Sequence, residues 1–126
     1  MSKQNLYLGK SGEELAVGFL RDNGYRIIAR NYKTKLGEID IIARQKDTVC
    51  FIEVKTRHSD RFGFPQEAIL KTKQRQISKV ALEFLKSNNL LDKSARFDVV
   101  SVIFAEDNPK LDLIKNAFEL DARFTY

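Results

Sequence analysis

The chain has 126 residues, 43% of them hydrophobic, which is enough for one compact domain with a substantial core and too few for two ordinary domains. A single cysteine argues against a disulfide framework, and the absence of any run of about 18 apolar residues argues against a membrane span. The N-terminus lacks the apolar core of a signal peptide, so we expect a cytoplasmic protein. The formal net charge of +5 favours an anionic partner.

The first predicted element is a helix from about Lys10 to Asn23. Ser11 and Glu14 have the spacing of a capping box, which is typical of a helix start. The neighbouring acid, Glu13, lies along the inward apolar stripe of this helix, where capping does not explain it. A carboxylate at a helix start can satisfy backbone N–H groups or pair with an arginine, and it can equally belong to a functional site. The pattern alone leaves both roles of Glu13 open.

A predicted strand from Tyr25 to Tyr32 is followed by two β-rich runs, Glu38 to Ala43 and Thr48 to Thr56, on either side of a short polar break. This pattern predicts a β-hairpin. Among its isoleucine, valine and phenylalanine residues, the hairpin carries the charged residues Asp40, Glu53 and Lys55. Charged groups in such strands are costly to bury unless they are paired or bind a metal, so they are the first candidates for chemistry.

The register of the hairpin decides whether these charges meet. A two-residue turn over 46–47 pairs Gln45 with Thr48, and it places Asp40 opposite Glu53. A slip by one residue would move Asp40 to the other face of the sheet. The turn has no Asn-Gly or Asp-Gly pair to fix a two-residue loop, so the turn by itself does not secure this register.

Two strand carboxylates and an ammonium group are the groups that metal-dependent cleavage of a phosphodiester requires. Asp40 and Glu53 supply hard oxygen ligands for Mg²⁺ or Mn²⁺, and such a cation lowers the pKa of bound water. Lys55 shares a face with Glu53, where it can orient this water or stabilise a charged transition state. The alternative is an ordinary ion pair between Glu53 and Lys55, because charged pairs at this spacing are common in strands.

The second half of the chain predicts a long helix and two strands. The helix extends from about Gln66 to Ser87 and is followed by a strand from Arg96 to Phe104. A further strand covers Leu111 to Lys115, and an optional C-terminal helix includes Phe118. The element order αβββαβ predicts an α/β fold in one domain, residues 1–126, with a mixed central sheet flanked by helices.

Positive charge is concentrated after the hairpin. Between Lys55 and Lys79 there are seven basic residues and two acidic ones. On the predicted helix, Lys71 and Arg75 lie outside the buried stripe, while Lys73 lies on or beside it. Such a cluster can follow a phosphate backbone, or it can be an ordinary solvated helix face.

Several segments together resemble the YraN family of small bacterial proteins. They are GEELA at 12–16, GEIDIIAR at 37–44, FIEVKTR at 51–57, KTKQRQ at 71–76 and RFDVV at 96–100. That family is similar to Holliday-junction resolvases of the PD-(D/E)XK nuclease superfamily. The resemblance implies a restriction-endonuclease-like fold, whose core is αβββαβ, and an expected activity of Mg²⁺-dependent hydrolysis of DNA.

The resemblance also implies roles for single residues. Asp40 and Glu53 would be the metal-binding carboxylates, Lys55 the catalytic lysine, and Glu13 the first-helix acid that joins or supports the metal site. Gln74 resembles a helix residue that some relatives place at the edge of the site. Together with the basic cluster, this predicts a nucleic-acid interface at Arg57, Lys71, Lys73, Gln74 and Arg75.

These expectations define one favoured function and two alternatives. The favoured function is a Mg²⁺- or Mn²⁺-dependent endonuclease that acts on DNA, including branched or otherwise structured DNA. Symmetric action on a junction would require two active sites and hence a homodimer. The alternatives are a non-catalytic nucleic-acid-binding module that keeps the nuclease fold, and an interaction protein whose basic helix docks on an acidic partner.

Overall fold

The computed structural model describes residues 10–58, 71–105 and 108–119. In these residues the elements are α1 (Lys10–Asp22), β1 (Arg26–Thr34), β2 (Gly37–Gln45), β3 (Thr48–Arg57), α2 (Lys71–Ser87), β4 (Ser94–Ala105) and β5 (Asn108–Phe118). The strands form one sheet in the order β1-β2-β3-β4-β5, in which β3 and β4 are parallel and the other pairs are antiparallel. The predicted α/β class, the mixed sheet and the αβββαβ order are confirmed.

One helix covers each face of the sheet. On one face, α1 buries Ala16, Val17 and Leu20 against strand residues such as Ile41 and Ile52. On the other face, α2 packs against the alternate strand residues with the stripe Ile77, Val80, Ala81, Phe84 and Leu85. Helical periodicity predicts this buried stripe. Burying one such side chain contributes ~1.5–3 kcal/mol, so the two helices and the sheet stabilise one another.

The hairpin of β2 and β3 has the predicted register. Gln45 pairs with Thr48, and Ile41 pairs with Ile52. Lys46 in the turn has a φ of 54°, a conformation that residues other than glycine adopt rarely. A slip by one residue would turn the side chains of one strand to the opposite face and disrupt their packing against the helices, so the packing of the strands holds the register.

Helix α2 ends in a left-handed turn. Asn89 has a φ of 56°, and its N–H donates to the Lys86 carbonyl at 3.3 Å. The N–H of Leu90 donates to the Leu85 carbonyl at 2.8 Å. This is a Schellman motif, which satisfies carbonyl groups that the helix leaves unpaired. The predicted start of the helix, residues 66–70, lies outside the described residues. Neither helix in the described ranges is long and apolar enough to cross a bilayer.

The prediction of an optional C-terminal helix that includes Phe118 is wrong. Strand β5 continues to Phe118, which pairs with Phe97 of β4. The two rings stack with their centroids 4.6 Å apart. This contact between residues distant in sequence favours an extended chain where local periodicity allows a helix.

A buried polar network ties the strands together on the face covered by α1. Asp98 is fully buried and accepts hydrogen bonds from Arg96 Nε at 2.9 Å and from the Asn116 N–H at 2.9 Å. The Tyr25 hydroxyl donates to Asp98 at 3.2 Å, and Arg96 also donates to Gln45 Oε1 at 2.7 Å. Because the buried charge is paired and hydrogen-bonded, this network stabilises the sheet and explains Asp98 without a catalytic role.

Candidate metal centre and nucleic-acid interface

Glu53 lies in the middle of β3 with its side chain buried. Only 5% of the residue is exposed. Two positions earlier, Phe51 packs in the core beneath α2, so Glu53 points to the same face. Its Oε1 atom is buried and has no hydrogen-bond partner among the described residues. An ionised carboxylate in this setting requires a compensating positive charge.

Asp40 lies where β2 departs from regular alternation. Ile39 and Ile42 both pack beneath α2, although they are three residues apart, while Ile41 packs beneath α1. In a regular strand Ile39 and Ile41 would share a face. The paired region between β2 and β3 begins with the Ile41–Ile52 pair, next to Asp40. The alternation of side chains along β2 therefore shifts at Asp40. As a result, the Asp40 side chain is not directed toward either helix.

The same distortion occurs in the neighbouring strand. In β1, Ala29 and Tyr32 both pack beneath α2 at a spacing of three, and Asn31 between them has a φ of 50°. Asp40 then reaches sideways to β3, where its Oδ2 atom accepts the Val54 N–H at 2.9 Å. The sequence predicts Asp40 opposite Glu53; the structure brings the two carboxyl groups together through this sideways reach.

The environment of Glu53 favours its protonated form. Burial, followed by the charge of Asp40, raises the pKa of the Glu53 carboxyl to about 8. A hydrogen bond with Asp40 acts in the same direction, while the positive charges of Lys73 and Lys55 lower this pKa and offset only part of the rise. Without a further cation, one of the two neighbouring carboxyl groups therefore holds a proton near neutral pH.

Glu13 approaches Asp40 from α1. Burial and then the charge of Asp40 raise the pKa of Glu13, and Arg30 lowers it. The distance from Arg30 Nε to Glu13 Oε1 is 3.8 Å, which is too long for a hydrogen bond, and this oxygen has no other partner in the described residues. A Cβ atom added at Gly12 would lie 2.5 Å from Thr56 Oγ1, so glycine allows the start of α1 to approach β3.

Lys55 follows Glu53 on the same face of β3, and a serine that sequence reasoning missed lies beside it. Ser101 of β4 pairs with Lys55 in the parallel ladder and is 1% exposed. Its hydroxyl has no hydrogen-bond partner in the part of the chain that the structure describes. A polar residue among the valines of β4 is the signal that could have identified Ser101.

The comparisons with known proteins decide the family. Residues 12–102 match the model of the Uncharacterised protein family UPF0102. The chain belongs to this family. A UPF0102 protein of Caldicellulosiruptor saccharolyticus is 52% identical over 113 residues, which are 88% of this chain and 96% of the relative. A UPF0102 protein of Syntrophus aciditrophicus is 50% identical over 117 residues, which are 93% of this chain and 92% of the relative. UPF0102 is the YraN family, so the family predicted from the sequence motifs is confirmed.

UPF0102 is a description that states no activity, so the function has to be argued from the site. A solved structure described as "Crystal structure of SSO0001" is 20% identical to this chain, with a TM-score of 0.39. The alignment covers 96% of this chain and 56% of that one. This similarity is too low to bear on the activity.

The basic residues predicted to bind nucleic acid lie at different depths in this UPF0102 protein. Lys73 is half-buried, and its charge acts on Glu53, so it lies beside the carboxylates. Lys71 and Arg75 are exposed on α2. Gln74 on the same helix and Arg57 at the end of β3 are half-buried. The structure thus brings Lys73 to the carboxylates and leaves Lys71 and Arg75 on the adjoining helix surface.

The donor set can be tested against a divalent cation. Within the described ranges, no group of three or more His, Cys, Asp or Glu residues is arranged to hold a metal ion by itself. Mg²⁺ commonly binds through one or two carboxylates and completes its shell with water and substrate phosphate. Asp40 and Glu53 fit this mode of binding, because a buried Glu53 oxygen has no hydrogen-bond partner within the part of the chain that the structure describes. Glu13 is placed to support Asp40 from the other side.

Proposed function

We propose that this protein is a divalent-metal-dependent endonuclease that hydrolyses phosphodiester bonds in DNA, including branched or structured DNA. The observation that carries the proposal is the buried Glu53 carboxylate, which lies beside Asp40 and whose Oε1 atom has no hydrogen-bond partner among the described residues. Such an arrangement is costly for stability and has a clear use only when a cation is present. Lys55 and Lys73 add the positive charge that a phosphate requires.

Each residue has a distinct role in this proposal. Asp40 and Glu53 would hold Mg²⁺ or Mn²⁺, and Glu13 would join or support the metal site from α1. When bound, the cation would lower the pKa of a coordinated water and offset charge on the phosphate. Lys55, on the same face as Glu53, would orient the attacking water or stabilise the charge that develops on the phosphate.

One observation favours the non-catalytic alternative. With a pKa of about 8, Glu53 can remain protonated at neutral pH and share a hydrogen bond with Asp40 without any metal. In that case the fold and its basic residues would bind nucleic acid, and the two carboxyl groups would be a structural pair. Metal titration separates the two functions.

Calorimetric titration of Mg²⁺ and Mn²⁺ into the protein is the direct test of the site. Wild type should bind, and Asp40→Asn, which keeps an acceptor for the Val54 N–H, should lose most of the binding heat. Glu83→Gln, which removes an exposed carboxylate from α2, is the matched control and should bind as wild type does. If wild type binds neither cation even in the presence of DNA, the endonuclease proposal fails.

A cleavage assay with linear and branched DNA tests the chemistry. Glu53→Gln should abolish metal-dependent cleavage, and Lys55→Met should reduce it while leaving metal binding intact. Lys71→Ala and Arg75→Ala should weaken DNA binding and flatten its dependence on salt. Cleavage by Glu53→Gln at the wild-type rate would refute the role of this carboxylate.

A further inference from the structure

A second basic surface lies on β1 and β2, away from the carboxylates. Arg26 and Arg44 are direct partners across the antiparallel ladder. Arg44 follows Asp40 by four positions on β2, which corresponds to about 13 Å along a strand. The motifs that indicate the metal site include Arg44 without giving it a role, and Arg26 lies outside them.

The pairing of two arginines has an electrostatic cost. Directly opposed side chains in an antiparallel ladder approach closely, and like charges there destabilise the sheet. No acidic residue in the described ranges forms an ion pair with either guanidinium group. The two charges therefore form a place where an anion would be stabilised by both side chains at once.

A pocket adjoins the arginine pair. It has a volume of about 440 Å³ and is lined by Arg26, Ile27, Ile28, Arg44, Phe84, Asn88 and Leu90. This volume is within the range of pockets that hold small organic molecules. Ile28 is 43% exposed, so apolar surface lies open to solvent directly beside the two charges. The pocket combines an anion-binding side with an apolar side.

We propose that this pocket binds an unpaired nucleotide of a single-stranded DNA segment, with the phosphate between Arg26 and Arg44 and the base against Ile28. The proposal rests on the proposed nuclease function and specifies its substrate as DNA with a single-stranded part. The apolar side selects an unpaired base, because a base within a duplex cannot leave its stack without an energetic cost.

The charge along β1 favours nucleic acid over an acidic peptide. β1 is an edge strand of the sheet and carries the exposed basic residues Arg26, Arg30 and Lys33. Arg26 lines the pocket on the side of α2, whereas Arg30 lies toward α1. Arg30 also lies 3.8 Å from Glu13 at the metal site. A phosphate backbone that passes around this edge of the sheet can therefore meet positive charge on both of its sides.

The test uses fluorescence anisotropy with a labelled short oligothymidylate, in EDTA so that the metal site plays no part. The double variant Arg26→Ala/Arg44→Ala should weaken binding roughly tenfold or more, as expected for two charged contacts. The control is Lys110→Ala/Lys115→Ala, which removes two exposed charges from β5 at the opposite edge of the sheet. The control should bind within about twofold of wild type.

A second pair of variants tests the apolar side. Ile28→Ser should weaken binding of the oligothymidylate, whereas Leu36→Ser, which changes a residue of equal exposure at 44%, should not. Equal losses in the two variants would overturn the placement of the base. Unfolding curves control for folding. Removal of the two opposed arginines should leave these curves unchanged or shifted to higher stability.

The outcomes separate this proposal from the nuclease proposal. If the arginine variant and the β5 variant bind the oligothymidylate equally well, the pocket proposal fails. It also fails if duplex DNA or polyglutamate binds as tightly as the oligothymidylate and depends on Arg26 and Arg44. If the arginine variant alone loses single-strand binding while no metal supports cleavage by wild type, the nuclease proposal fails and the pocket remains.

Discussion

Replacing Glu53 with glutamine should stabilise the metal-free protein at alkaline pH and change little under mildly acidic conditions. Burial and the charge of Asp40 raise the pKa of Glu53 from 4.5 to about 8. The unfolded chain therefore releases this proton near pH 4.5, whereas the folded protein holds it up to about pH 8. Between these values the folded state binds more protons, so its stability falls as the pH rises.

The expected size of this stability difference follows from the shift in the pKa of Glu53. One pKa unit corresponds to ~1.4 kcal/mol, so ionisation of Glu53 costs the folded state at most about 5 kcal/mol. Relaxation of the site and entry of water reduce the expected cost to on the order of 2 kcal/mol. Glutamine cannot ionise, so the variant should gain this amount relative to wild type at about pH 9 and almost none at about pH 5.

Urea denaturation in EDTA across this pH range measures the difference directly. Glu83→Gln is the matched control, because it removes an exposed carboxylate, and its stability should follow that of wild type. A constant difference between wild type and Glu53→Gln at every pH would refute the burial of an unpaired charge. Added Mg²⁺ should then stabilise wild type at about pH 8 by ~2.7 kcal/mol at a hundred times its Kd, and the variant should not respond.

Three further changes test the packing around the site by urea denaturation. Gly12→Ala should destabilise the protein by about 1 kcal/mol through its contact with Thr56, although helix propensity favours alanine. Adding Thr56→Ala should restore the lost stability. A Gly12→Ala protein that is more stable than wild type would contradict this packing. Asp98→Ala should cost about 3–5 kcal/mol of stability because it leaves the Arg96 charge uncompensated. Adding Arg96→Met should recover part of this loss. If the losses of the two variants simply add, the two residues are not coupled. Phe84→Ala should cost about 3–5 kcal/mol, since it removes a buried ring, and a cost below about 1 kcal/mol would show that α2 packs differently.

The candidate site could be found from sequence because its geometry depends mainly on a local hairpin. Strand alternation, with a two-residue turn that pairs Gln45 with Thr48, directs Glu53 toward one face, and the packing of the strands holds this register. The same reasoning predicts the inward position of Glu13 and the buried stripe of α2. These features follow from short-range periodicity, which the order of the residues contains.

Other parts of the site depend on contacts between distant segments. Strand periodicity does not show that β2 turns over at Asp40, because the distortion is shared with Asn31 of β1. The Ser101 hydroxyl, which has no hydrogen-bond partner in the described ranges, becomes relevant only when β4 lies parallel beside β3. Phe118 looks compatible with a helix until Phe97 is brought beside it.

The sequence by itself determined the family, the order of the elements and which acidic residues deserve attention, because these depend on motifs and local patterns. Only the tertiary structure decided that Glu53 is buried, with an oxygen that no described residue hydrogen-bonds, and that Arg26 faces Arg44 beside a pocket. Burial and electrostatic cost depend on which segments surround a group in space. That information arises when the sheet and its two helices assemble, since no single segment contains it.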